Sequence, residues 1–326
     1  MPGLMFKKII ALTLIISTGL FSCGLISGCK YIYQDAPVIT IEEPKIPLTH
    51  FNPTFVIPVP DTPGLFFEKN DRAFIDYSNM HLGYITVGFL EDTDNDLKVL
   101  IYTPGNKEYI YDLKPLVIEV FPLSEGDGIY TIGVYEHLEG NMYEEVLIIT
   151  IDVVLINEFV PFIHPNQYVD YCEDSPAAGK ALELYIVNNT FFDTVEAIYN
   201  FIIENIKYDF DLADTIGFGY LPDMREILEQ GGGICLDIAA LLTAMLRSQG
   251  IPAKLVFGNY NDPGLGVIYH AWVSVYSEED GMIGDYISIK GGTWNILDPL
   301  FTSGSPFNAS VNLPDNQKNY QAEFYY

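Results

Sequence analysis

Three regimes of hydrophobic patterning run along the chain. Lys7 and Lys8 precede a largely apolar stretch, Ile9 to Phe21, which is followed by small residues. That pattern reads as an export signal and is short for a membrane span. Next comes a segment with prolines at 37, 44, 47, 53, 58, 60 and 63. Proline at this density keeps the backbone extended, so the segment is expected to act as a spacer.

From Leu65 to Phe159 the apolar positions recur with a period near two, in short runs broken by turn residues such as Pro104-Gly105-Asn106 and Gly126-Asp127-Gly128. Strands are predicted at 73–77, 84–90, 98–103, 108–113, 117–121, 129–136 and 144–156. About seven short strands without a helical period predict an antiparallel β-sandwich of immunoglobulin-like shape. Tyr109, Tyr111 and Tyr135 lie on its strands, where they serve either as half-buried packing or as a binding face for carbohydrate or protein.

Beyond a loop carrying His164 and Cys172 the period changes to 3.6. Helices are predicted over 177–188, over 193–206 with Asp193 as cap and Glu196 three residues on, and from Leu221-Pro222-Asp223 to the glycine run at 231–233. A further helix begins at Cys235, with Ile238, Leu241, Leu242, Met245 and Leu246 on one face and Gly250 and Pro252 as its stop. Strands follow at 254–260, 270–276, 286–290 and 294–297. The whole is an α+β chain, expected to divide into a signal (1–28), a Pro-rich tether (29–64), a β-sandwich (65–159) and a second domain (160–326) in which the Cys235 helix packs on an antiparallel sheet.

Cys235 is the residue around which the chemistry gathers. At a helix N-terminus, unpaired backbone N–H groups and the positive end of the dipole favour a thiolate. A thiol nucleophile needs a base and a group that orients the base. His270 opens one strand 35 residues later, and Asp298 ends another after 28 more.

The motifs Gly232-Gly233-x-Cys235-x-Asp237, His270-Ala271-Trp272-Val273 and Trp294-x-x-x-Asp298-Pro299 together resemble the core of the transglutaminase-like superfamily. The resemblance covers residues 175 to 303. It implies a papain-like fold with Cys235 as nucleophile, His270 as general base and acid, and Asp298 orienting the imidazole, with no metal or cofactor. The substrate is then a protein or peptide. Hydrolysis of peptide or amide bonds is favoured over protein crosslinking, because the only tryptophans are Trp272 and Trp294 and the upstream tryptophan of tissue transglutaminases has no match. A catalytically silent binding or adhesion protein is the third reading. The backbone N–H of Cys235 supplies one oxyanion donor, and Gln230 and Tyr220 are the candidates for a second. Asp237 is assigned a structural part in the first helical turn.

Charge narrows the partners. Removing residues 1–28 deletes two lysines and no acid, leaving 14 basic side chains against 44 acidic ones. Such a surface repels nucleic acid and anionic headgroups. The acidic run Glu91–Asp96 matches no EF-hand loop and reads as a solvated turn. His50, His81, His137 and His164 lack metal-ligand spacing, and Cys172 has no partner motif. With so few cysteines the chain is not a disulfide scaffold.

Cys23 and Cys29 each resemble a bacterial lipobox cysteine, and the small residues Ser27 and Gly28 favour Cys29. The expected location is the outer face of the cell membrane, held by a lipid anchor. Cys29→Ser should therefore release the protein from the membrane fraction and abolish palmitate labelling, whereas Cys23→Ser should do neither.

Overall fold

The computed structural model describes residues 55–301 and 317–326, apart from 189, 218, 263–265 and 285–286. The signal, the lipobox cysteines and most of the Pro-rich segment lie outside the described residues.

Eight strands come first: β1 (Phe67–Lys69), β2 (Ala73–Asp76), β3 (Tyr84–Phe89), β4 (Leu97–Tyr102), β5 (Glu108–Leu113), β6 (Ile118–Pro122), β7 (Gly128–Glu139) and β8 (Met142–Val153). They form two antiparallel sheets, in the orders β1-β2-β3-β6 and β5-β4-β7-β8. The alternation read from the sequence has a direct physical use. Ile75, Ile85, Val87, Val99, Ile101, Ile132 and Val134 are buried in a shared core; in β4 and β5 the intervening residues are more exposed, whereas β3 is buried along its whole length. The sandwich is thus present, with the short edge strand β1 added to the seven expected.

Residues 55–64, assigned to the spacer by their prolines, are docked. Thr62 Oγ1 lies 3.0 Å from Thr86 Oγ1, Asn79 Nδ2 donates to Asp61 Oδ1 at 2.6 Å, and Ile57 packs against the core. Prolines made the segment extended without making it free. The acidic run is also engaged: Thr93 and Asn95 both donate to Glu136, which pairs with Arg72.

The second half contains α1 (Pro176–Asn188), α2 (Phe191–Asn205), β9 (Lys207–Tyr208), α3 (Phe210–Thr215), α4 (Met224–Gln230), β10 (Gly232–Gly233) and α5 (Cys235–Ser248). Then follow β11 (Ala253–Asp262), β12 (Gly266–Ser277), β13 (Gly281–Ile283), β14 (Ile287–Ile289), β15 (Thr293–Leu297) and β16 (Tyr320–Tyr325). Strands β15-β12-β11-β16 make one antiparallel sheet, against which α5 packs. From Ile238 to Ser248 every residue of α5 is buried, so it is the central helix of this half. The short elements β9, α3, β10 and β13 have too few residues to show a period, and the sequence pattern did not mark them.

The two halves meet through aromatic rings. Tyr109 and Tyr111, on β5, are buried, and Tyr109 sets its ring edge-on to Phe324 and Tyr326 at 5.1 and 5.5 Å. These tyrosines are packing residues at a junction, and the reading of them as a carbohydrate-binding face is corrected accordingly. Arg247 completes the junction. Fully buried, it donates from Nε to Ala253 O at 2.8 Å, from Nη1 to His164 O at 2.8 Å and from Nη2 to Tyr326 O at 2.5 Å.

Burial lowers the Arg247 pKa to about 10, and burial together with the nearby Arg247 charge lowers that of His164 to about 3, so the imidazole stays neutral. Arg247→Met should leave three buried carbonyl groups short of a donor. The expected loss is about 3 kcal/mol or more, read as a lower urea midpoint. A variant as stable as the parent would show that water replaces the guanidinium without cost.

Candidate active site

The approach to Cys235 is built from glycine and a buried cap. Gly231 closes α4 in the left-handed region (φ 64°), which L side chains rarely adopt. Gly232 and Gly233 then pair in parallel with Lys207 and Tyr208. A Cβ on Gly233 would stand 2.6 Å from Asp237 Cβ, so the chain can pass here only as glycine. Ile234 is extended (φ −86°, ψ 179°), and the helix starts at Cys235.

Asp237 closes that first turn. Its Oδ2 accepts from Ile234 N at 2.9 Å, and its Oδ1 accepts from Tyr220 Oη at 2.9 Å. The carboxylate is fully buried, and burial raises its pKa despite those two donors. Asp237 therefore has the structural part its spacing suggested. The first bond within the helix is Ile238 N to Ile234 O, so the N–H of Cys235 precedes the helical ladder.

His270 lies on β12 opposite Gly258 of β11, and Asp298 immediately follows β15. Their side chains are 5 % and 1 % exposed, which removes competing water. His270 Nε2 is 2.7 Å from Asp298 Oδ2, which leaves Nδ1 for the thiol. Burial pushes the imidazolium pKa down, yet the charge and hydrogen bond of Asp298, with those of Cys235, raise it overall to about 10. Cys235, His270 and Asp298 are thus brought together around one buried imidazole.

Asp298 is fixed from several sides. Leu300 N donates to Oδ1 at 3.0 Å, Tyr199 Oη donates to its backbone oxygen at 2.9 Å, and Tyr320 Oη donates to Oδ2 at 3.0 Å. Sequence reasoning passed over both tyrosines. Tyr199 lies within a helix and Tyr320 in a polar tail, and neither belongs to a recognisable motif.

The two oxyanion candidates are engaged elsewhere. Gln230 Nε2 donates to Glu226 Oε1 at 2.7 Å on an exposed part of α4, and Tyr220 is tied to Asp237. Tyr208 pairs with Gly233 beside the nucleophile and lies within electrostatic reach of Cys235. Burial first, and then the charge of Cys235, raise its hydroxyl pKa to about 12. Tyr269 is also within electrostatic reach of Cys235 and is half exposed. Cys172 and Cys235 are both free, with Cys172 exposed.

Residues 181–299 match the family model of the transglutaminase-like superfamily. No curated protein matches the chain. Among solved structures, a candidate cysteine protease from Cytophaga hutchinsonii is similar at 17 % identity, over 80 % of this chain and 90 % of its own, with a TM-score of 0.35. LapG of Legionella pneumophila is similar at 15 % identity over 47 % of this chain and 77 % of its own, with a TM-score of 0.31. Red sea bream transglutaminase is similar at 16 % identity over 69 % of this chain, with a TM-score of 0.28, and the match spans 49 % of its own length.

The raised pKa of His270 has a signed consequence for stability. A histidine whose folded pKa lies above 6.5 adds stability that is complete below 6.5 and is lost as pH rises through the folded value, here about 10. Urea midpoints of the parent and Asp298→Asn should therefore differ most between pH 5 and 6.5 and converge towards pH 10. A constant difference across that range would mean that His270 is not charged by its neighbours.

Proposed function

We propose that the protein, whose residues 181–299 match the family model of the transglutaminase-like superfamily, is a lipid-anchored enzyme of the cell surface that hydrolyses peptide or amide bonds through Cys235, His270 and Asp298. The observation that carries this reading is the buried 2.7 Å contact of His270 Nε2 with Asp298 Oδ2, made where the other face of the imidazole meets the Cys235 thiol.

The steps follow from that geometry. Cys235 Sγ, having given its proton to His270 Nδ1, attacks the substrate carbonyl carbon. The Cys235 N–H and the Tyr208 hydroxyl stabilise the oxyanion. Collapse breaks the carbon–nitrogen bond, and His270 returns its proton to the departing amine. Water then attacks the thioester, with His270 taking its proton as base, and the carboxylic acid leaves as the thiol re-forms. Throughout, Asp298 keeps the imidazole in the tautomer that faces sulfur.

Two features favour water over an amine as the second nucleophile. Trp272 is buried and stacked near His270 at 6.1 Å, and Trp294 is packed among Phe159, Phe162 and Tyr276. Both follow Cys235 in the sequence, so neither corresponds to the upstream tryptophan of tissue transglutaminases. The sequence pattern at Cys29 supports attachment to the membrane, and the acidic surface supports a protein or peptide substrate over nucleic acid.

The test offers the purified chain a mixed peptide pool with a fluorescent primary amine present. Hydrolysed or deamidated peptides should accumulate, fluorescence should not enter peptide, and Cys235→Ala should produce neither. Tyr208→Phe should lower turnover about 100-fold with little change in KM. Amine incorporation that outruns hydrolysis would make the protein a crosslinker. No product from any pool, with iodoacetamide reacting at Cys235 equally in the parent and His270→Ala, would leave the sandwich as the seat of function.

A further inference from the structure

Asp298 Oδ2 is a shared acceptor. His270 Nε2 reaches it at 2.7 Å and Tyr320 Oη at 3.0 Å. Of the three proposed catalytic residues, none lies within twenty residues of Tyr320, which opens β16, and β16 is joined to the sheet only along β11. The backbone goes to unusual lengths to bring it there.

Pairing of β11 with β16 slips by a residue between Phe257 and Gly258, which sets Tyr320 opposite Tyr260. At Gly258 the two strands approach so closely that a Cβ would fall 2.1 Å from Gln321 O and 2.8 Å from the Trp272 ring. The ring of Tyr320 is then held by Tyr260 at 4.8 Å and edge-on by Trp272 at 5.0 Å, while Trp272 itself stacks near His270. A glycine, a bulge and two aromatic neighbours therefore fix one hydroxyl.

Towards a carboxylate a phenol can only donate. Burial, followed by the Asp298 charge, drives the Tyr320 pKa far above its usual value, so the hydroxyl keeps its proton throughout the working range. A donor on the oxygen that also serves the imidazole draws charge away from it. The carboxylate then holds the imidazolium less strongly than it would alone, and a base that releases its proton more readily is better suited to passing it to a leaving amine.

We propose that Tyr320 is a positioning residue of the Cys235–His270–Asp298 site, its hydroxyl fixing the Asp298 carboxylate and sharing its charge so as to moderate the basicity of His270. This inference rests on the functional reading above for its catalytic meaning, though the link from Tyr320 to His270 is measurable without a substrate.

The experiment is an NMR titration of the His270 imidazole in the full chain, with the resonance identified by its loss in His270→Ala. Tyr320→Phe removes the donor and keeps the ring, so the midpoint should rise by about half a unit to one unit. Incorporating 3-fluorotyrosine at position 320 strengthens the donor without altering the packing, so it should lower the midpoint, and this arm covers a Tyr320→Phe protein that fails to fold. Shifts in those opposite directions support the proposal. A midpoint unmoved in both, or moved the same way in both, overturns it. If Cys235 alkylation is indifferent to His270→Ala, the acyl-transfer reading fails on its own, while the His270 midpoints still report whether Tyr320 acts through Asp298.

Discussion

One buried cation holds the architecture together. Arg247 sits near the end of α5 and gives its protons to three main-chain oxygens, of Ala253 on β11, of His164 in the loop after the sandwich and of Tyr326 just past β16. A guanidinium so placed is costly to desolvate, and its planar fork suits it to join three segments at fixed angles. The C-terminal end of a helix dipole offsets part of that cost. Because α5 starts at Cys235 and β16 starts at Tyr320, the clamp at one end of these elements fixes the register on which the site at their other ends depends.

At the site itself, charge is managed by burial and pairing. Asp237 and Asp298 are both almost fully enclosed, yet they do different work. Asp237 gives one oxygen to a helix start and the other to a tyrosine, and is fully buried. Asp298 faces an imidazole, and that imidazole is hydrogen-bonded in turn to the nucleophile. The difference comes from position: one carboxylate lies inside the first helical turn, and the other leaves a strand end beside β12.

Much of this was legible in the sequence, for reasons that are specific. Strand alternation in the sandwich was strong because each inner position faces a common core, and the Cys235 helix was plain because its buried face runs without interruption. Cys235, His270 and Asp298 could be picked out because each stands in a recognisable local pattern, a glycine run, a His-Ala-Trp-Val run and an Asp-Pro stop, although β12 begins at Gly266 and not, as expected, at His270. Gln230 and Tyr220 were chosen by nearness in sequence, and local hydrogen bonds to Glu226 and Asp237 take them up. Tyr208 escaped notice because its partner strand is only two residues long. Tyr320 was illegible because its role depends on a register slip across a sheet, which no local pattern encodes.

The sandwich bears on the chemistry through this same strand. Phe324 of β16 and Tyr326, the residue after it, are gripped by Tyr109, and Tyr111 and Tyr168 close around Tyr326. The Tyr109 hydroxyl also accepts from the backbone of Tyr325 at 3.1 Å. An edge strand held only by β11 would be free to slip, and a slip of one residue would turn Tyr320 away from Asp298. Aromatic packing against the sandwich opposes that slip with several contacts, each worth a fraction of a kcal/mol to about 1.5 kcal/mol beyond the area buried. The β-rich half is thus bound into the site's geometry: it secures the strand that carries the tyrosine to the carboxylate, and a ligand that loosened this junction would be felt at His270.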